Sequence, residues 1–141
     1  MQRLFFHNRH DKNSRTALSS LEPDVKIIDL FEFGNYDLLE KWRIPQIPYL
    51  VDKEFILDTT APYYTPEFSL SFSCHDYLGN IVINESQEFN VEVNGDQYII
   101  SPTEGILTLD LLSDIPATLQ IKIEGEGYYP WEGEIEVIEN V

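Results

Sequence analysis

Phe68-Ser69-Leu70-Ser71-Phe72-Ser73-Cys74 is the stretch that decides the fold of most of this chain. Apolar residues alternate with serines throughout it, so an extended backbone would give the segment one apolar and one polar face. A period of two is typical of a strand that covers a core on one side and meets water on the other. The stretch therefore predicts an antiparallel β unit, with Cys74 as a small residue on its buried face.

The same alternation recurs further along the chain, in short segments separated by turn sequences that contain Gly, Asn, Asp or Pro. The further predicted strands are residues 81–83, 89–93, 97–100, 107–111, 119–123 and 135–137. About seven short strands within roughly 75 residues are typical of an antiparallel sandwich. We therefore predict two β-sheets that pack face to face.

Charge divides the chain at about residue 58. Residues 1–57 hold eight Lys+Arg and nine Asp+Glu, whereas residues 58–141 hold one basic residue, Lys122, and 16 acidic residues. The net charge is therefore −1 for the first part and −15 for the second. Such a step in composition, at a polar stretch that includes Pro62, indicates a change of structural unit. We predict two domains, residues 1–57 and residues 58–141.

Composition also excludes several classes of function. The net charge of −16 repels a phosphate backbone and an anionic membrane surface, so we expect neither nucleic acid nor a membrane as a partner. No apolar run approaches the roughly 18 to 20 residues of a spanning helix, and the first ten residues lack the apolar stretch of a signal peptide. A single cysteine, Cys74, excludes an intramolecular disulfide and a thiolate cluster.

The N-terminal part alternates predicted strands with predicted helices. Strands are expected at residues 4–6 and 25–30, and helices at residues 14–21 and 35–42. Residues 49–51 and 54–57 are expected to close the unit as an antiparallel hairpin around the turn at Asp52-Lys53. This order predicts a parallel strand pair with a right-handed crossover and an antiparallel edge.

That order, with Trp42-Arg43-Ile44-Pro45-Gln46-Ile47-Pro48-Tyr49-Leu50-Val51, resembles the thioredoxin and glutaredoxin family over residues 2–57. The resemblance implies an α/β thioredoxin-like domain that lacks the final helix and has a cis peptide bond before Pro48. In that family two cysteines stand at the start of the first helix, where this chain has Asp11 and Ser14. Neither residue can form a disulfide with a substrate, so the resemblance implies a redox-inactive scaffold.

Two other clusters of polar residues favour ordinary structural roles over chemistry. His7, His10 and Asp11 share one predicted loop, but structural zinc usually needs four ligands, so solvated imidazoles are the favoured interpretation. The carboxylates of residues 124–139 alternate with apolar residues, which favours a strand with a solvated acidic face over a calcium site. We therefore predict no metal, no cofactor and no catalytic residue.

Several phrases of the C-terminal part resemble bacterial immunoglobulin-like modules, in the order of the strands of those modules. They are Asp76-Tyr77-Leu78-Gly79-Asn80-Ile81-Val82, Phe89-Asn90-Val91-Glu92-Val93, Glu104-Gly105-Ile106-Leu107-Thr108-Leu109 and the segment from Gly127 to Val137. The resemblance covers about residues 62–139. It implies an all-β immunoglobulin-like sandwich that acts as a spacer, decoration or binding surface and carries no reaction of its own.

These features together predict a non-catalytic structural protein of a bacteriophage virion, in the tail, baseplate or head decoration. Such a protein is made in the host cytoplasm without an export signal and is present in multiple copies beside other virion proteins. The near-neutral N-terminal unit would dock the chain, and the acidic sandwich would project into solvent. The candidate docking residues are Phe5, Tyr36, Trp42 and Phe55. Two alternatives stay open, a thioredoxin-like oxidoreductase and an intracellular module that binds peptides beside Pro48.

Overall fold

The computed structural model describes residues 3–13, 25–30, 37, 40, 44, 46–83 and 85–140. Strands account for 56% of these residues and helix for 4%. The predicted helices at residues 14–21 and 35–42 lie outside the described residues, apart from Asp37 and Glu40, which are helical. No helix in the described ranges is long and apolar enough to cross a membrane.

A small mixed sheet is formed by the first three strands. The central strand is β1 (Leu4–His7), which pairs in parallel with β2 (Lys26–Asp29) and antiparallel with β3 (Tyr49–Val51). All four residues of β1 are buried, which fits its apolar run because a central strand can be covered on both faces. The Ile47–Pro48 peptide bond before β3 is cis, the form that the sequence analysis expects.

The remaining strands form two sheets that pack as a sandwich. Their bounds are β4 (Lys53–Leu57), β5 (Tyr63–Tyr64), β6 (Glu67–Asp76), β7 (Phe89–Val93), β8 (Asp96–Ile100), β9 (Ile106–Leu112), β10 (Ala117–Glu124) and β11 (Trp131–Ile138). One sheet has three strands in the order β4-β6-β9, and the other has five in the order β5-β11-β10-β7-β8. The all-β prediction for the C-terminal part is confirmed.

The core of the sandwich lies between these two sheets and follows the predicted alternation. On β6, Leu70, Phe72 and Cys74 are fully buried, whereas Ser69 is exposed. The facing sheet contributes Phe89, Val91, Leu119, Ile121, Ile123, Ile135 and Val137 to the same cluster. Each fully buried aliphatic or aromatic side chain contributes about 1.5–3 kcal/mol, so this cluster dominates the stability of the sandwich.

The predicted α/β thioredoxin-like domain is wrong. Among the described residues strands account for 56% and helix for 4%, so the regular structure is nearly all β. The predicted closing hairpin does not form either, because β3 pairs with β1 while β4 pairs with β6 in the sandwich. The sandwich therefore begins at Lys53 and not at residue 58. Without a thioredoxin-like domain, there is no basis for assigning Asp11 and Ser14 as lost redox positions.

Candidate functional site

The predicted docking residues do not form one exposed surface. Phe5 is 4% exposed on β1, and Phe55 is 5% exposed on β4. The ring of Phe55 packs in the sandwich core, with its centroid 5.0 Å from that of Phe89. The docking prediction is therefore wrong for Phe5 and Phe55, since the fold removes both rings from solvent. Tyr36 and Trp42 lie outside the described residues.

The predicted redox positions also lack a common site. Asp11 lies in the loop after β1, where its backbone N–H donates to the carbonyl oxygen of Asn8 over 2.9 Å. Ser14 lies outside the described residues. His7 is buried on β1 and not solvated in a loop. Among the residues that the structure describes, no three His, Cys, Asp or Glu side chains are grouped closely enough to hold a metal ion.

The connection between the small sheet and the sandwich is a single residue, Asp52, supported by the loop that joins β10 to β11. The backbone N–H groups of Asp52 and Lys53 both donate to the carbonyl oxygen of Gly127, each over 3.1 Å. The N–H of Tyr129 donates to the carbonyl oxygen of Lys53 over 2.8 Å. The hydroxyl oxygen of Tyr49 accepts a hydrogen bond from the N–H of Gly127. We call this set of contacts the junction clamp.

The Gly-Tyr-Tyr-Pro-Trp phrase at residues 127–131 joins the two parts of the molecule. Gly127 has a φ of +82°, which favours glycine. Tyr128 is buried in the sandwich and stacks on Phe55 with 4.6 Å between ring centroids. Tyr129 packs against the core of the small sheet. Trp131 meets Phe72 edge-on at 4.8 Å, so the phrase contacts both cores.

Burial raises the pKa of two tyrosines of this region. Desolvation raises the pKa of Tyr128 well above its ordinary value. Desolvation also raises the pKa of Tyr49, and the charges of Glu126 and Asp52 act in the same direction, whereas the hydrogen bond from Gly127 lowers it. A tyrosine is a neutral phenol at pH 7 even without such a shift, and the raised pKa keeps both side chains neutral to a higher pH than usual. Tyr49 therefore accepts the clamp hydrogen bond as a neutral phenol.

Asp58, Ser73 and His75 form a second polar cluster, which the sequence analysis did not identify. The Oγ atom of Ser73 lies 2.7 Å from Nε2 of His75 and 3.1 Å from Oδ1 of Asp58. Nδ1 of His75 lies 3.1 Å from the carbonyl oxygen of Gly79. Asp58 precedes β6 in the chain, and pairing of β4 with β6 brings it beside Ser73.

The order of these groups differs from that of a hydrolase triad. In a triad the histidine stands between serine and aspartate and removes the serine proton, whereas here Ser73 stands between Asp58 and His75. Ser73 is also 3% exposed and lies on β6 between two paired strands. A substrate carbonyl cannot reach its Oγ atom, so this cluster is a structural hydrogen-bond network.

An acidic face covers the outside of the five-stranded sheet. Glu132, Glu134 and Glu136 are exposed on β11 while Ile135 and Val137 are buried, as the alternation predicts. Lys122, the single basic residue of positions 58–141, lies 2.8 Å from Glu124 and 3.6 Å from Glu132. A shallow depression of 700 Å³ on this face is lined by Glu92, Asn94, Gly95, Gln120, Ile121, Lys122, Glu132, Gly133 and Glu134.

An open cleft lies on one side of the sandwich, where edge strand β8 of one sheet extends beyond edge strand β9 of the other. This β8–β9 cleft has a volume of 390 Å³. Its lining comprises Val91, Val93, Asn94, Asp96, Tyr98, Ile100, Leu109, Asp110, Leu111, Leu112 and Leu119. Tyr98 is 48% exposed and Leu112 is 73% exposed. Apolar side chains therefore meet solvent beside two strand edges that have no ladder partner among the strands that the structure describes.

The sequence contains a signal for this cleft. The runs Tyr98-Ile99-Ile100 and Leu111-Leu112 break the alternation of apolar and polar residues. Apolar residues on both faces of an edge strand mark surface that the chain itself does not cover.

No protein-family model matches this chain, and no curated protein matches it. Among solved structures, a chain described as "Structure of Protease" is similar over 64% of this chain and 19% of its own length. The identity is 15% and the TM-score is 0.38. This chain thus spans about a fifth of that protein, and a likeness at this level carries no argument about fold or activity.

Proposed function

We propose that this chain is a non-catalytic structural protein of a larger assembly, and specifically of a bacteriophage virion. The junction clamp is the observation that carries the proposal. The chain passes from a nearly neutral N-terminal part to a strongly acidic sandwich through Asp52 alone, and the backbone hydrogen bonds of the clamp, 2.8 to 3.1 Å long, hold the β10–β11 loop against this connection. A protein whose two structural units are held in a fixed relative position suits a structural role in an assembly.

The clamp supports this role because it replaces a flexible linker. Domains that move relative to one another are usually joined by polar or glycine-rich segments of several residues. Here the last residue of β3 and the first of β4 are separated by one residue, and Tyr129 packs across the junction into the core of the small sheet. The small sheet and the sandwich are therefore held in a fixed relative orientation.

The distribution of charge indicates which part of the molecule would contact the particle. Carboxylates lose hydration when they are buried without partners, so the acidic sandwich faces are stable where they meet water. The N-terminal part carries a net charge of −1 and offers Ile27, 47% exposed on the edge strand β2. We infer that the N-terminal part contacts the body of the particle and that the outer sheet of the sandwich faces solvent.

The test is to locate the protein on purified particles. Antibodies raised against the full chain should label intact virions from the source culture by immunogold electron microscopy, at several positions on each particle. Preimmune serum from the same animal serves as the control. Protein found only in the particle-free supernatant after lysis would contradict the virion assignment.

A further inference from the structure

We propose that the β8–β9 cleft receives an extended, basic segment of another protein, which adds to the free edge of β9 as a further strand of the three-stranded sheet. The inference rests on the proposed function, since the partner would be a neighbouring protein of the assembly. It deepens that function by naming the surface and the chemistry of the partner.

The first argument is the unequal size of the two sheets. The order β4-β6-β9 ends at β9, whereas the facing sheet continues through β7 to β8. The inward side chains of β8, Tyr98 and Ile100, are opposite Val91 and Phe89 in the ladder. Ile100 packs against the sandwich core, whereas Tyr98 stays 48% exposed. A strand placed beside β9 would lie below β8 and would cover this apolar surface.

The second argument is the backbone of β9. A strand at the edge of a sheet leaves alternate N–H and C=O groups without ladder partners, and such an edge is a template for strand addition. The start of this edge is occupied, because the N–H of Ile106 donates to the carbonyl oxygen of Thr103 over 3.0 Å and the N–H of Thr103 donates to the carbonyl oxygen of Ile106 over 2.9 Å. The accessible edge is therefore the second half of the strand, residues 109–112.

The third argument concerns the pattern of side chains that an added strand needs. Leu109 and Leu111 face the core and line the cleft, whereas Asp110 points to the opposite face, where Ser69 donates a hydrogen bond to it over 2.6 Å. Neighbouring strands place their side chains on matching faces. Apolar residues at every second position of the partner would enter the cleft, and the residues between them would lie beside Asp110.

The fourth argument is charge, and it selects a basic partner over a second copy. Asp96 lines the cleft, the carboxylate of Asp110 lies on the other face of β9, and no basic side chain is among the residues that line the cleft. The two basic residues of the sandwich strands lie elsewhere: Lys53 is at the junction clamp beside Asp52, and Lys122 is on the acidic outer face beside Glu124 and Glu132. Two copies of this chain would each bring a net charge of −16 to the contact, whereas Lys or Arg on a partner strand would be attracted.

The experiment measures binding of a defined probe to the full-length chain by fluorescence anisotropy. The probe is a fluorescein-labelled peptide of about nine residues in which Val and Lys alternate, which matches an extended strand with one apolar and one basic face. One control peptide has Glu in place of Lys. A second has the same composition with the Val and Lys residues in two separate blocks. We expect the alternating Val-Lys peptide to bind at least about tenfold more tightly than either control.

Matched variants on β8 and β9 test the site. Tyr98→Ser removes an apolar side chain of the cleft, and Ile99→Ser removes its neighbour, which is 66% exposed and does not line the cleft. We expect Tyr98→Ser and Asp110→Lys each to weaken binding about tenfold. Ile99→Ser should change it less than about twofold. All three positions are exposed, and circular dichroism checks that each variant is folded.

Amide chemical shifts locate the bound peptide. Shifts and slowed amide exchange confined to residues 109–112 and to β8 would support strand addition. Three results would overturn the inference: no binding at about 1 mM peptide, equal binding of the Glu peptide, or a homodimer that Tyr98→Ser dissolves. Gold-labelled virions without peptide binding would refute this inference alone, whereas peptide binding without virion labelling would refute only the proposed function.

Discussion

At the scale of single residues, Ser73 illustrates how the arrangement of side chains limits their chemistry. Its hydroxyl group carries one proton, which can be donated to His75 or to Asp58 but not to both at once. Since β4 and β9 flank it, the hydroxyl group contributes hydrogen bonds inside the sheet and is not accessible to substrates. The cluster contains the three residue types of a triad. However, its histidine does not lie between the serine and the aspartate, and a substrate cannot reach the serine oxygen.

Ser73→Ala should therefore lower stability and affect no reaction. We expect the free energy of unfolding to fall by about 1 kcal/mol, because a partly buried hydrogen-bond network loses its central member. Urea denaturation followed by circular dichroism measures the change. Ser69→Ala on the same strand is the matched control: it removes a hydrogen bond to Asp110 that is exposed to solvent, so it should stay within about 0.5 kcal/mol of the parent. A hydrolase activity that disappears with Ser73→Ala would contradict our interpretation.

Buried tyrosines make stability depend on alkaline pH. The pKa of Tyr128 is raised by desolvation in the folded state, so the unfolded state loses this proton first as pH rises above about 10. The stability that this shift contributes is present in full below the pKa of the unfolded state, and it is lost progressively as pH rises from there toward the pKa of the folded state. We expect the free energy of unfolding to fall above pH 10 by up to about 1.4 kcal/mol per pH unit for this residue.

Urea titrations between about pH 9 and pH 11 test this dependence. Tyr128→Phe keeps the ring against Phe55 and removes the ionisable group, so its decline over the same range should be shallower than that of the parent. Stability that stays constant in the parent, or equal slopes in the two proteins, would count against a buried neutral phenol at this position.

At the scale of elements, β4 shows where sequence reasoning stops. Residues 49–51 and 54–57 flank Asp52-Lys53, so local pattern favours a hairpin. The two segments instead pair with strands that are far apart in the chain, β1 and β6. Local propensity cannot rank such distant pairings, because each depends on which apolar faces are available after the other strands have packed.

The limits of β4 can be tested with fragments. A fragment of residues 52–141 retains β4 and should unfold cooperatively, whereas a fragment of residues 58–141 lacks β4 and the core ring of Phe55. Loss of a buried phenylalanine alone costs about 3–5 kcal/mol, so we expect the shorter fragment to be largely unfolded. Thermal unfolding by circular dichroism compares them, and full-length Phe55→Ala separates the effect of the ring from that of the strand. Equal melting temperatures of the two fragments would show that β4 is dispensable.

What could be predicted depended on the range of the interactions. The serine alternation of β6 identified Leu70, Phe72 and Cys74 as core residues because a period of two is a local property. The burial of Phe5 and Phe55 was not predictable in detail. A sequence does not show which of its large apolar side chains pack in a core and which stay on the surface. The cleft beside β9 required knowledge that one sheet has three strands and the other five.

At the scale of the whole molecule, charge opposes compaction. The chain has 25 acidic and nine basic residues, and 16 of the acidic residues lie in the part that forms most of the sandwich. Self-repulsion at a net charge of −16 destabilises the folded state relative to a more expanded one. The hydrophobic core has to offset this repulsion.

Added salt should therefore stabilise the protein. Raising sodium chloride from about 20 mM to about 500 mM shortens the screening length, and we expect the free energy of unfolding in urea to rise by on the order of 1 kcal/mol. The same series near pH 4.3, the isoelectric point of the sequence, is the control and should show a smaller effect. A loss of stability with salt at neutral pH would show that ion pairs such as Lys122–Glu124 outweigh the repulsion.

The single-residue connection at Asp52 has a mechanical consequence. A tensile load applied between β1 and the sandwich passes from β3 through one Cα atom to β4, and no slack segment can lengthen to absorb it. The hydrogen bonds from Asp52 and Lys53 to Gly127 share that load with the β10–β11 loop. The connection at Asp52 is therefore a stiff joint that resists stretching.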